Sequence, residues 1–561
     1  MNRGAILILC LAAAGCSRTG TPEAIEEYYG TLEPFAAEAV YFVLTDRFVD
    51  GDADNNQSGQ GGGEATRTFD RPVVDDEGRR GNIGYLGGDF KGLLDNAGYV
   101  RDMGFTAVWI SPIVENPDEA FTGGHGIGEG MFADRGKTGY HGYWGVNFFE
   151  VDEHLVSPGL GFADLTRRLE EQHGLKTVLD IVCNHGSPSF TMRVDQPMFG
   201  EIYDRYGQLI ADHQNLHPRE LDPDEPLHAF FHREPDLAEL SNIDDTNPDV
   251  LDYFADAYLQ WIEQGVAAFR VDTIRHMPHR YWRAFSERIR AQHPGFFMFG
   301  ESFDYEASRI AQHTWPENGG ISVLDFPGRL RINEVFTDPD SDFAAITDYL
   351  HLTDGIYENP YELMTFYDNH DMPRMNATPE GFIDAHNWLF TSRGIPVVYY
   401  GSEMAFRAGR PEHGGNRDYF GAENVAVAAA HPVRAALAEV AKLRRNSPAL
   451  QRGLQANLDF SGHAAAFFRV YQRNELQQTA LVLLNKGPQG TSVTIDHWLS
   501  TGAWTDAMSG EVHEVADPDA SLSLDVPAHG VRVLLFDAPN NNAELGEELR
   551  RLQVGARRPV R

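Results

Sequence analysis

Eight short apolar runs recur along roughly the first 400 residues, each bounded by polar or glycine-containing stretches. They are AVYFVLTD (39–46), AVWIS (107–111), KTVLDIV (176–182), VAAFRVD (266–272), FFMFGE (296–301), ISVLDF (321–326), LMTFYD (363–368) and IPVVYYG (395–401). Between most of them the apolar positions switch to a helical period, as in FADLTRRLEEQH (162–173) and PDVLDYFADAYLQWIEQ (248–264). Short continuous apolar runs suit strands covered on both faces. Their alternation with helices predicts an α/β fold, a closed parallel (β/α)8 TIM barrel rather than an open sheet. The stretch 185–247 breaks the rhythm. It is rich in Asp, His, Pro and aromatic residues, and it is too long for a simple connection, so it reads as a domain B inserted after the third strand. Near residue 446 the pattern becomes β-rich, with AAAFFRVYQR, TALVLLNKG, TSVTIDH and GVRVLLFDA, which predicts a C-terminal antiparallel β-sandwich. The expected layout is a linker (16–34), a barrel in two parts (35–184 and 248–445) around the insert (185–247), a sandwich (446–538) and a loose, solvated tail (539–561).

Composition narrows the partners. The 561 residues carry a net charge of −37, with 42% apolar residues. So acidic a surface repels phosphate backbones and anionic membranes, which disfavours nucleic acid and suits a neutral ligand such as a sugar. The N-terminus, MNRGAILILCLAAAGCSR, has one early cation, an apolar run too short to span a bilayer, and small residues before Cys16. It reads as a lipoprotein signal over 1–15, with Cys16 acylated and the protein exported and membrane-anchored, at the periplasm or cell surface. An ordinary cleaved secretory signal is the alternative. Cys183 then stands alone and no intramolecular disulfide is available. A monomer is expected.

The chemistry gathers at predicted strand ends. VAAFRVDTIRH places Arg270 and Asp272 on one side of a strand, with His276 just beyond. In isolation, Arg270 and Asp272 read first as a structural ion pair at a strand end, and only second as an aspartate kept ionised for attack. Other strand ends carry Asp180, Asn184 and His185, then Glu301, then Asn369, His370 and Asp371. Parallel barrels do their chemistry on this face, and three carboxylates from three strands converge there.

These segments, with LTDRFVDGDADNN, GYHGYW, EPDLAEL, SVLDFPGRLR and GIPVVYYGSE, resemble glycoside hydrolase family 13, the α-amylase family. The resemblance runs from about Ala39 to Ala538. It is closest to bacterial α-amylases and the catalytic part of cyclomaltodextrin glucanotransferases. It implies a retaining hydrolase of α-1,4-glucosidic bonds in starch or maltooligosaccharides, acting through a covalent glycosyl-enzyme. Asp272 would be the nucleophile, Glu301 the acid/base and Asp371 the third carboxylate. Tyr143, His141, Trp144, His185, Arg270, Arg275, His276, Asn369, His370 and Arg374 would bind substrate. The resemblance also implies Ca²⁺ at two places. One uses Asp50, Asp52, Asn55, Asn56, Gly87 and Asp89, a stretch that could otherwise be an Asn/Asp-rich turn. The other uses Asn184, Glu239 and His276 through its carbonyl; Glu239 stands where the family more often has aspartate, and His276 could equally be a packed, hydrogen-bonded histidine.

Three departures bear on the reaction. Pro235 stands where glucanotransferases hold an aromatic post, Arg275 replaces a common lysine, and one sandwich follows the barrel. All three favour hydrolysis over cyclisation. A cyclomaltodextrin glucanotransferase or cyclodextrin-degrading transglycosylase remains the neighbouring reading, and a non-catalytic surface glucan-binding lipoprotein the more distant one.

Overall fold

The computed structural model describes residues 26–57, 66–74, 78–124, 135–517 and 519–559. The signal, Cys10 and Cys16 lie outside the described residues.

All eight predicted barrel strands form: β1 (Val40–Val43), β2 (Ala107–Ile110), β3 (Lys176–Ile181), β4 (Val266–Val271), β5 (Phe297–Gly300), β6 (Ser322–Val323), β7 (Met364–Thr365) and β8 (Ile395–Tyr399). Their sheet order is β6-β5-β4-β3-β2-β1-β8-β7, all parallel, and a parallel bridge between Leu324 and Met364 joins the two ends. Register is set by rows such as Val40 opposite Ala107 on one side and Val397 on the other. Aromatic rings help fill the barrel. Phe42 stacks on Trp109 with centroids 3.8 Å apart, and Tyr399 and Phe299 complete the group at 5.1 and 5.5 Å. This hydrocarbon floor closes the barrel below the charged rim.

The long interval is indeed an excursion. Its two ends zip together, His185–Pro188 against Leu240–Asn242 antiparallel, and it carries a hairpin of Glu201–Tyr203 with Leu209–Asp212. The helix Pro248–Glu263, capped by the Asn247 side chain, then returns the chain to β4. The C-terminal region builds a six-stranded antiparallel sheet from Leu454–Ser461, Ala464–Arg473, Leu476–Asn485, Gly530–Phe536, Gly502–Asp506 and Val512–Val515, in that spatial order. A separate pair, Thr491–Ile495 with Leu522–Val526, accompanies it.

Two expectations need correction. The tail is not loose: Ala543–Gly555 is a helix capped by Asn542, and Leu545, Leu549 and Leu552 are buried. Those leucines recur at i, i+4 and i+7, a helical stripe partly hidden among charges. The last residues of the supposed linker are packed as well. Tyr28 is 4% exposed and pairs with Gln472, and Arg557 donates to the carbonyls of Tyr29 and Gly30. Cys183 is free and buried. Among the described residues, no helix is long and apolar enough to cross a membrane.

Candidate active site

Arg270, fully buried at the end of β4, organises the rim. Its Nη1 donates to Asp180 Oδ1 at 2.8 Å and Asp272 Oδ1 at 2.6 Å, while Nη2 lies 2.9 Å from Glu301 Oε2. The ladder places these groups. The Asp272 amide donates to the Ile181 carbonyl at 2.9 Å and the Glu301 amide to the Val271 carbonyl at 2.8 Å, so the parallel register of β3, β4 and β5 continues one residue past the strands. Thr273 then takes a left-handed conformation, φ 47°, and turns the chain out of the barrel. One guanidinium facing three carboxylates, all on neighbouring strands, is a costly arrangement that burial by itself would not select.

Asp180 is the acid whose role the resemblance left unassigned. It accepts from Trp109 Nε1 at 3.0 Å and the Tyr143 hydroxyl at 2.8 Å, so it locks Tyr143 and Arg270 into the floor of the site. Burial pushes Asp180 up to about 7 despite Arg270. Burial also drives Glu301 up to about 8; Arg270 opposes this and Asp272 and Asp371 reinforce it. The shift favours the protonated form, the one a general acid must present. Arg270 rises well above its ordinary value: burial opposes its charge, but Asp180 and Glu301 more than compensate.

Asp371 lies across the mouth on the loop after β7. The Asn369 side chain accepts from the Asp371 amide at 3.1 Å, and Asn416 ties down the Asn369 carbonyl at 2.8 Å. His370 stacks on Tyr143 with centroids 5.2 Å apart and planes 5° from parallel, and its Nε2 is 3.2 Å from Asp371 Oδ2. Burial and the nearby arginines hold His370 well below the usual imidazole range, so it is neutral. Burial also lowers His185, which is 4% exposed at the insert's first strand. His141 accepts from the Tyr143 amide at 3.1 Å and sets the turn that presents Tyr143.

The structure separates some predicted contacts from the site. Trp144 is packed among Phe121, Met192 and Phe199, in a small core shared by the insert and the segment after β2, so it supports the site rather than facing it. Arg374 is 2% exposed and spends its guanidinium on the carbonyls of Asn416 and Tyr400 over the Tyr399 ring. It braces the loop, as Asn369 does. Arg275 and His276 reach the exposed rim, Arg275 donating to the Phe303 carbonyl and His276 Nδ1 lying 3.0 Å from Asp236 Oδ2. A missed residue is Arg417: it is 8% exposed, and its Nη2 contacts Asp371 Oδ1 at 2.6 Å and Glu412 Oε1 at 2.8 Å. Nothing in the local sequence announces it, because it sits 46 positions from the acid it clamps.

Most of the first oxygen cluster comes together, while the Asp52 carboxylate lies at the surface and accepts from the Asp54 amide instead. Asn56 donates to Asp50 at 2.8 Å and Asn55 to Asp89 at 3.2 Å, while the amide oxygens of both asparagines are buried without a hydrogen-bond partner. Gly87 lies so close that a Cβ there would meet Asn56 Oδ1 at 2.2 Å. Two orphaned oxygens beside two carboxylates fit a hard cation. The second cluster is rearranged. Asn184 and His276 converge on Asp236 rather than Glu239, whose carboxylate points toward Gly124. The expected ligand Glu239 is one side-chain carbon longer than aspartate and is carried elsewhere.

The model for the α-amylase catalytic domain matches residues 42–426, the barrel and its insert together. The chain belongs to that family. It is 28% identical to a cyclomaltodextrin glucanotransferase of Bacillus licheniformis over 501 residues, covering 85% of this chain and 63% of that protein. It is 26% identical to an α-amylase of Niallia circulans, covering 91% and 92% of the two chains. A solved cyclomaltodextrin glucanotransferase with a three-domain ABC distribution superposes with TM-score 0.69 at 28% identity, covering 89% of this chain and 99% of that one. The chain thus spans about 63% of the length of the first glucanotransferase relatives. A three-domain layout also occurs in a glucanotransferase, so domain number does not separate the two reactions.

Proposed function

We propose that the protein is a retaining α-glucan hydrolase acting on α-1,4-glucosidic bonds of starch or maltooligosaccharides. The observation that carries this reading is Arg270 holding Asp272 and Glu301 through one guanidinium. Double displacement needs its two carboxyl groups close together, roughly 5–5.5 Å apart. Asp272 attacks the anomeric carbon as the Glu301 carboxyl protonates the departing glycosidic oxygen. Glu301, now ionised, takes a proton from water as that water displaces Asp272. Asp371, held by Arg417, grips sugar hydroxyls, and neutral His370 donates or accepts a hydrogen bond without adding charge.

Transglycosylation is the second reading, and one observation favours it. Phe303 and Tyr305, 41% and 38% exposed, meet edge to face with centroids 6.0 Å apart just after Glu301, an apolar corner against which an acceptor sugar could replace water. Against cyclisation, position 235 is an exposed proline with no ring for a glucan to wind around. Product analysis decides. The chain truncated after Cys16 is incubated with Ca²⁺ and either soluble starch or maltoheptaose. Short linear products alone support hydrolysis; cyclic products, or linear ones longer than maltoheptaose, overturn it.

Ca²⁺ would sit at Asp50, Asn55, Asn56 and Asp89, beside Gly87. There it supplies structural charge compensation, remote from the bond broken. The lipoprotein reading of Cys16 places the enzyme as an exported monomer on a membrane surface. Radiolabelled palmitate incorporation that persists in Cys16→Ala would defeat it.

A further inference from the structure

A second crowd of acids lies apart from the catalytic rim. The strand Val114–Glu115 pairs antiparallel with Asn147–Val151, which brings the loop carrying Glu115 and Asp118 against Asp152, Glu153 and His154. Carboxylate oxygens of Asp118 and Glu153 and a ring nitrogen of His154 all lie within 4.8 Å of one another. Among the described residues, no lysine or arginine forms an ion pair with any of these four acids; the only partner of that kind is His154, 3.4 Å from Glu153.

Two further observations point to a ligand rather than to a solvated acidic face. His154 Nδ1 lies 2.9 Å from the Asn55 carbonyl, which makes Nδ1 the protonated nitrogen and turns Nε2, buried without a hydrogen-bond partner, toward the acids. Tyr85, only 5% exposed, packs against the His154 ring, and its hydroxyl has no hydrogen-bond partner. With Tyr85, Thr45 and Ser111, Asp152 and His154 also line a cavity of about 20 Å³ that adjoins the cluster on its barrel side, while Glu115, Asp118 and Glu153 lie outside its lining.

We propose that Asp118, Glu153 and Glu115, backed by Asp152 and His154, hold a divalent cation of the Ca²⁺ class, at a site separate from the Asp50–Asp89 cluster. A set dominated by carboxylates selects a hard ion. The ion pins the loop after β2 to the strand Asn147–Val151, and the His154 contact with Asn55 links it to the other oxygen cluster.

The test uses the metal-depleted full chain titrated with Ca²⁺ by calorimetry, with Mn²⁺ as a second arm. Glu153→Gln is the first variant, because that side chain is 56% exposed and packing survives the change. It should bind one Ca²⁺ fewer than wild type, or bind it at least tenfold more weakly. It should melt lower than wild type in Ca²⁺ but as high or higher in chelator, since one repelling carboxylate is gone. Glu115→Gln should show the same crossover, while Asp50→Asn leaves this binding step in place. Unchanged Ca²⁺ stoichiometry in both Glu variants, or a higher melting temperature with and without Ca²⁺, would mean that protonation or an imidazolium alone neutralises the cluster, and the site would be lost. Tighter binding of Mn²⁺ than Ca²⁺ would overturn the assignment to the Ca²⁺ class.

Discussion

Two of the places where the protein buries arginines treat them oppositely. At the rim, Arg270 faces Asp180, Asp272 and Glu301, more negative charge than it can neutralise. Where the barrel meets the sandwich, Arg469 faces no carboxylate; it donates to the carbonyls of Thr391, Ser392 and Gly453. Arg444 likewise binds the carbonyls of Ala36, Gly394 and Leu450 and so ties the starts of β1 and β8 together. The titration behaviour follows. Arg270 is raised well above its ordinary value, whereas burial pushes Arg469 down to about 10 and Arg444 well below its ordinary value. A guanidinium on carbonyls closes backbone hydrogen bonds and leaves nothing reactive. A guanidinium among surplus carboxylates leaves at least one acid protonated and another poised to attack.

The sharpest way to break the comparison is at the acids. Asp272→Asn should lower kcat on maltoheptaose about ten-thousand-fold or more, and Glu301→Gln about a hundred- to ten-thousand-fold, each with a melting temperature no lower than wild type. Near-normal turnover in either would remove the double displacement. The arginines come next. Arg270→Met strands buried carboxylates and should cost about 3–5 kcal/mol of stability in denaturant melts, together with activity. Arg469→Met leaves carbonyls unpaired and should cost about 1–3 kcal/mol with kcat per folded molecule unchanged. Equal effects on kcat would erase the distinction.

Acidity sharpens it further. Because Glu301 is raised to about 8, kcat/KM should fall as pH climbs through that region. The sign for stability is the same. The folded state keeps the Glu301 proton while the unfolded state has released it, so this contribution is full below the ordinary glutamate range and is lost as pH rises toward 8. Glu301→Gln should therefore flatten the decline of melting temperature between pH 5 and pH 8. The smallest expected effect is at Arg417. Arg417→Lys keeps the charge but loses the planar group whose Nη2 meets Asp371 and Glu412 while Nε holds the His370 carbonyl, and should reduce kcat/KM about tenfold, mainly through KM. No change would show that Asp371 needs no clamp.

Much of this was legible beforehand. The eight apolar runs became the eight barrel strands, because two-sided burial demands continuous apolar sequence. Asp272, Glu301 and Asp371 were legible because chemistry at strand ends leaves polar residues exactly where an apolar run stops. The C-terminal helix was missed because Leu545, Leu549 and Leu552 are diluted by charge. The roles of Trp144 and Arg374 were misjudged because proximity in sequence to a motif does not say which way a side chain packs.

Sequence by itself determined the barrel, the insert, the sandwich and the three acids, since periodicity and residue type are local properties. Tertiary structure alone decided that Asp180 underlies Arg270, that Arg417 clamps Asp371, that Asp236 displaces Glu239, and that Glu115 and Asp118 meet Asp152 and Glu153. Each of those is a meeting of residues between 34 and 90 positions apart, or a choice between two acids three positions apart, and only the folded backbone sets such distances and directions.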